Sequence, residues 1–159
     1  MCGLAGYYSL NQERINNFEL IIIPSSNTLS EEEIKKLKHF QNKGGALVVI
    51  GKGALNNKRD KFIFDLGAKY IGPSDFDMDY VQVSKELSNN LVSSPFITYL
   101  PGIKSEANEN SSILADIKVP YFSRTLEKYN GHLYAPNKLD KENYPAVLQY
   151  KNTVFFAHD

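Results

Sequence analysis

Two short aliphatic runs with an amphipathic stretch between them stand out in the segment FELIIIPSSNTLSEEEIKKLKHFQNKGGALVVIGKG, residues 18–53. Glu19 to Ile23, ended by Pro24, has the continuous apolar character of a strand buried on both faces. Ser30 and Glu33 have the spacing of a capping box, and Leu29 and Ile34 that of a hydrophobic staple. Ile34, Leu37 and Phe40 then form one apolar stripe, with Lys35, Lys36 and Lys38 largely off it. Acidic residues fill the first turn and Lys43 sits in the last, as the helix dipole favours. Gly44 is placed to end the helix in a left-handed conformation, and Ala46 to Ile50 is the second strand. Two apolar strands joined by a helix of this length predict a βαβ crossover and hence a parallel sheet.

Past this unit the pattern breaks into shorter pieces. The stretch NNKRDKFIFDL, residues 56–66, predicts a short helix with Phe62, Ile63 and Leu66 inward and Gly67 as its stop. Extended segments follow at Ala68 to Ile71, Tyr80 to Val83, Phe96 to Leu100 and Ser112 to Val119. In the last of these Ile113, Ala115 and Ile117 share one face. Ala146 to Tyr150 and Thr153 to His158, joined at Lys151-Asn152, predict an antiparallel hairpin. The opening residues 1–17 hold only a remnant of the strand and helix that would precede the unit in a doubly wound domain. A single domain shortened at both ends, or a sheet completed by another chain, is therefore expected.

Composition narrows the class. A chain of 159 residues fits one domain with a real core, and 42% hydrophobic with 23% charged residues is ordinary for a soluble protein. Eighteen Lys plus Arg balance eighteen Asp plus Glu, which argues against non-specific binding to nucleic acid or an anionic membrane. The apolar runs are too short to span a bilayer and no secretory signal is visible, so a cytoplasmic protein is expected. The single cysteine rules out an internal disulfide. Ten Tyr and nine Phe suit sugar stacking or interfaces, but filling a core is the default use of such residues.

Several stretches invite a chemical reading. Gly51-Lys52-Gly53 follows a strand where a nucleophile elbow would place Ser or Cys, and neither is there. The spacing also falls short of a phosphate-binding loop. Asp75, Asp77 and Asp79 alternate as in a calcium loop. Counted from Asp75, the sixth position, which needs glycine, is Tyr80, and only Glu86 matches at the twelfth. No metal or cofactor site is assigned. His132 and His158 lack acid or cysteine companions at ligand spacing, and His39 is read as a surface residue. In an open parallel sheet ligands bind beyond the carboxyl ends of the strands, which here offers a possible crevice of Ser25, Ser26, Asn27, Gly51 and Lys52.

Two resemblances add to this reading. The opening Met-Cys-Gly-Leu-Ala-Gly-Tyr-Tyr resembles glutamine amidotransferases with an N-terminal cysteine, faintly echoed by Tyr129 to Tyr134 around Gly131. That implies Cys2 as nucleophile and, through its amine, general base; the alternative is an inert thiol. The family's arginine-glycine-proline-aspartate segment is absent, since Arg14, Arg59 and Arg124 are not followed by Gly-Pro. The second resemblance rests on Pro120-Tyr121-Phe122-Ser123-Arg124-Thr125-Leu126-Glu127, then His132, Pro136, Pro145-Ala146-Val147 and Phe156-Ala157-His158. This order is similar to a β-galactosidase trimerisation-like domain of modular glycoside hydrolases, and residues 18–53 resemble its earlier part. Ser123 stands where that family usually has Asn, and Leu126 where it has Trp.

The second resemblance implies a three-layer, flavodoxin-like α/β domain of the class I glutamine-amidotransferase type, mostly parallel, with the antiparallel C-terminal hairpin. It implies no catalytic residues in this chain, an accessory or oligomerisation role, and as partner a further copy or a catalytic barrel. A glycoside hydrolase would be the parent protein. Arg124, Glu127, His132 and His158 are then either ligand-binding or a structural polar network that pins the 120–136 loop, and the second is preferred. A small-molecule or carbohydrate-binding module using the strand-end crevice is the alternative, and an N-terminal-cysteine amidotransferase the third.

Overall fold

The chain was analysed as a computed structural model, which describes residues 15, 17–26, 28–89, 92, 94–125, 127, 134–139 and 143–159. The elements are β1 (Leu20–Ile23), α1 (Glu31–Asn42), β2 (Ala46–Ile50), β3 (Ala68–Pro73), β4 (Asp79–Val83), β5 (Phe96–Thr98), β6 (Ile103–Ala107), β7 (Ser112–Lys118), β8 (Asn143–Tyr150) and β9 (Thr153–Phe156). A short 3-10 turn, Gly51–Ala54, follows β2. Seven strands form one sheet in the order β1-β2-β9-β8-β7-β4-β5, and β3 pairs with β6 in a second sheet.

The first unit forms as its pattern dictates. The Ser30 hydroxyl accepts the Glu33 N–H at 3.3 Å and the Glu33 carboxylate accepts the Ser30 N–H at 2.8 Å, closing the capping box. Leu37 and Phe40 are buried and Gly44, at φ +90°, ends α1. β1, β2 and β9 run parallel, with Ile23 beside Val49 and Val49 beside Phe155. That register puts Ile23, Leu47, Val49, Thr153 and Phe155 on one buried face, and the Gln41 amide of α1 donates to the Thr153 hydroxyl there at 2.9 Å.

The opposite face corrects the expectation of a strand buried on both sides: Leu20 and Ile22 are 48% and 52% exposed. A three-layer flavodoxin-like fold is also overturned, along with its amidotransferase-type variant. Among the described residues only two pairings in the large sheet are parallel, and those among β9, β8, β7, β4 and β5 are all antiparallel. The protein is mostly β, with one long helix among the described residues. The helix expected over 56–66 does not form because Asn56 captures the local backbone. Its side-chain oxygen accepts the Asp60 N–H, its carbonyl accepts the Arg59 N–H, and Arg59 turns to φ 55°. The apolar residues of that stretch pack without a helix. Phe62 meets Tyr70 of the small sheet and Phe155 of the large one edge-on, with ring centres 5.6 and 5.1 Å apart.

The C-terminal hairpin of β8 and β9 is present, with Lys151 at φ 50° in its turn. β6 had no counterpart in the sequence reading. Its inward positions are Ile103 and the small, polar Ser105, both buried, so alternation over IKSEA is masked. β7 carries register shifts on either side of Ala115, which leave Ile113 exposed while Ala115 and Ile117 are buried.

Candidate functional site

The polar chemistry of the described residues concentrates beyond the carboxyl ends of β1, β2 and β9. Ser25 follows β1, Gly51 and Lys52 follow β2, and His158 and Asp159 follow β9. The Asp159 carboxylate fills the space between them. It accepts the Ser25 hydroxyl at 2.5 Å, the Lys52 backbone N–H at 3.3 Å and the Lys52 ammonium at 2.8 Å. Gly51 makes this approach possible: it adopts φ +47°, and a Cβ there would stand 1.9 Å from Asp159 Oδ1. Burial alone would raise the Asp159 pKa, but the bonds from Lys52 and Ser25 and the Lys52 charge together hold it below the ordinary aspartate value.

One residue earlier, His158 turns toward the antiparallel half of the sheet. Its side chain is 14% exposed, and Nε2 lies 3.4 Å from Oδ2 of Asp79, whose side chain is 0% exposed. The pair falls outside hydrogen-bond geometry, and Nε2 has no hydrogen-bond partner. Asp79 takes its hydrogen bonds from the Gly102 N–H at 2.6 Å and the Ser74 hydroxyl at 3.2 Å, while its carbonyl accepts the Thr98 hydroxyl at 3.0 Å. Asp79 thus anchors both ends of the 98–102 turn, Gly102 through its buried carboxylate and Thr98 through its backbone carbonyl. Gly102 is required where it is, because a Cβ would come within 2.8 Å of the His158 ring.

Next along β4, burial raises the Tyr80 pKa, and its hydroxyl donates to the Ala135 carbonyl at 2.7 Å. Backbone bonds from Tyr121 to Pro136 and from Lys138 to Val119 complete the hold on residues 134–138. The two segments held by Asp79 and Tyr80 meet at Tyr99 and Tyr134, whose ring centres lie 5.8 Å apart and whose planes are 60° apart. The hydrogen bond between their hydroxyls raises the Tyr134 pKa, and the nearby Arg124 charge opposes that rise.

Among the predicted site residues, Ser25, Gly51 and Lys52 therefore meet in one place, with His158 adjoining through Asp159. Ser26 is exposed beside them. Arg124 and Glu127 are both exposed. Asn27, His132, Gly131 and Cys2 lie outside the described residues. The calcium-like series disperses: Asp75 pairs with Lys104 at 2.7 Å, Asp77 donates its N–H to Ser123, and Asp79 is buried. Among the described residues no three His, Cys, Asp or Glu side chains gather as a metal site. Sequence reasoning missed Asp79, Ser74, Gly102 and Asp159. The alternation of Asp79 with Val81 was the available signal that Asp79 points inward.

Two cavities lie elsewhere. One of about 410 Å³, beside Lys69, Glu106 and Glu109, is wide open, and one of about 270 Å³ lies beside Gln41, Asp65 and Lys151. Neither borders the cluster described above. No described helix is long and apolar enough to cross a membrane.

The chain matches no family model and no curated protein sequence. Solved structures do share its fold. An α-L-fucosidase isoenzyme 2 from Paenibacillus thiaminolyticus aligns over 89% of this chain and 21% of its own, with a TM-score of 0.80 and 23% identity. A β-galactosidase from Rahnella sp. R3 aligns over 89% and 20%, at TM-score 0.56 and 17% identity. A cytoplasmic protein from Salmonella typhimurium aligns over 96% and 65%, at TM-score 0.61 and 13% identity. The chain thus spans about a fifth of the length of the glycoside hydrolases that it matches. Likeness at these identities establishes the shared fold.

Proposed function

We propose that this chain is a non-catalytic accessory domain of a carbohydrate-active enzyme, joined to or seated against a catalytic domain and contributing to subunit assembly. The observation that carries this reading is the alignment of nearly the whole chain with about a fifth of glycoside hydrolase chains. The site chemistry is in keeping with it. The turn after β2 offers Gly51 and Lys52 in place of a nucleophile, and the crevice is filled by the chain's own Asp159. Asp79 is sealed from solvent, so it serves as an anchor for Gly102, Ser74 and Thr98 rather than as an exposed acid or base. The half-exposed Leu20 and Ile22 on β1, an edge strand among the described residues, favour an assembly role, because exposed apolar side chains gain by burial against another surface.

The test combines activity with mass in solution. The isolated chain, assayed with aryl α-L-fucosides and aryl β-D-galactosides, is expected to release no more phenol than buffer. Light scattering after size exclusion is expected to give a mass above that of one chain. Turnover that is lost on His158→Ala would overturn the non-catalytic reading, and a strict monomer would remove the assembly part.

A further inference from the structure

The strongest unused feature is the pair of tyrosines above β4. Tyr99 is 72% exposed and the adjoining Leu100 58%, yet the turn that carries them is fastened to the fully buried Asp79, at one end by its carboxylate and at the other by its backbone carbonyl. Burying an aspartate is costly unless its bonds do structural work. Here the bonds from Thr98 and Gly102 fix the turn at both ends and leave its apolar side chains facing water. The opposing ring, Tyr134, is fixed through the next residue of the same strand, since Tyr80 holds Ala135. Tyr121, 52% exposed, is tied to this segment by its backbone N–H, which donates to the Pro136 carbonyl. The two rings form a wedge, their planes 60° apart, rimmed by phenol hydroxyls.

We propose that this wedge of Tyr99 and Tyr134 is a saccharide-binding platform separate from the strand-end crevice. A pyranose ring has an apolar C–H face and a rim of hydroxyls. The Tyr rings match the face, while the phenols match the rim. Fixing both rings before binding lowers the ordering cost of holding a flexible, hydrated ligand. The location rests on the geometry alone; the choice of a saccharide also rests on the accessory-domain reading.

The experiment is isothermal titration of the isolated chain with β-1,4-galactotetraose and with 2′-fucosyllactose, repeated for Tyr99→Ala, Tyr99→Phe and Ser25→Ala. At least one sugar is expected to bind. Tyr99→Ala should weaken it about tenfold, the scale of one lost aromatic contact. Tyr99→Phe, which keeps the ring, should lose less, and Ser25→Ala, in the crevice, should bind as the parent does. Thermal melting confirms that each variant is folded. Absence of binding by the parent chain at millimolar sugar overturns the platform. Binding unchanged in Tyr99→Ala, or lost in Ser25→Ala, overturns its location. Each of these outcomes leaves the accessory reading to its own test of turnover and assembly.

Discussion

Replacing Asp79 is the sharpest probe of how the polar core is built. Asp79→Ala would leave the Gly102 N–H without its acceptor in a fully buried place, release the Ser74 hydroxyl and remove the carboxyl group facing His158. An orphaned buried donor costs about 1–3 kcal/mol, and breaking a buried charged cluster typically costs about 3–5 kcal/mol. The expected loss for Asp79→Ala is therefore about 3–5 kcal/mol, against about 1–2 kcal/mol for Asp79→Asn, which keeps one oxygen for Gly102 and the side-chain volume. In a domain of this size each kcal/mol lowers Tm by about 2–4 °C. Urea unfolding at neutral pH, followed by far-UV circular dichroism, gives the free energies directly. An Asp79→Ala variant within about 0.5 kcal/mol of the parent would refute the anchoring role, because that is the range of an ordinary surface change. Equal losses for Ala and Asn would show that charge, rather than the bond to Gly102, is what matters.

Three further changes test other parts of the fold. Gly53→Ala places a Cβ 2.6 Å from the Pro24 carbonyl oxygen, a backbone atom that cannot swing away. It should cost about 1–3 kcal/mol by urea unfolding. Gly72→Ala, where nothing lies within 4 Å, should change stability by no more than about 0.5 kcal/mol and serves as its control. Ser30→Ala removes the capping hydroxyl of α1 and should cost about 1 kcal/mol, read from the same transitions. Asp159 has a folded pKa below its ordinary value. Its bonds therefore contribute fully above the unfolded value of about 3.9 and are lost as pH falls through the lower, folded value. The acid limb of a stability–pH profile should accordingly flatten in Asp159→Asn, and an unchanged limb would contradict the arrangement around Lys52.

What could be read from the sequence was what is local in the chain. The capping box, the Gly44 stop and the Lys151-Asn152 hairpin each depend on neighbours within a few residues, and all three are in the structure. The parallel contact of β1 with β2 was likewise encoded in two apolar runs and the helix between them. The sheet beyond β2 was not, because β9, from the far end of the chain, inserts next to β2 and turns the remainder antiparallel. The apolar content of residues 56–66 suggested a helix, but Asn56 and Arg59 settled the backbone as a turn. Asp79 looked like one more acid in a polar loop. Its meaning depends on Gly102 and His158, which no local pattern ties to it. Ser25, Gly51 and Lys52 were recognisable as strand-end residues, whereas the carboxylate that joins them comes from Asp159, after the last strand.

The most direct test of the accessory-domain account is the size of the native protein that carries this sequence. An antibody raised against the 18.0 kDa chain would be used to precipitate that protein from its source cells for sizing under denaturing conditions. Because the chain matches about a fifth of each glycoside hydrolase, the account predicts a polypeptide several times larger, with glycosidase activity in the precipitate. A lone 18.0 kDa band in a precipitate that cleaves no glycoside would contradict it.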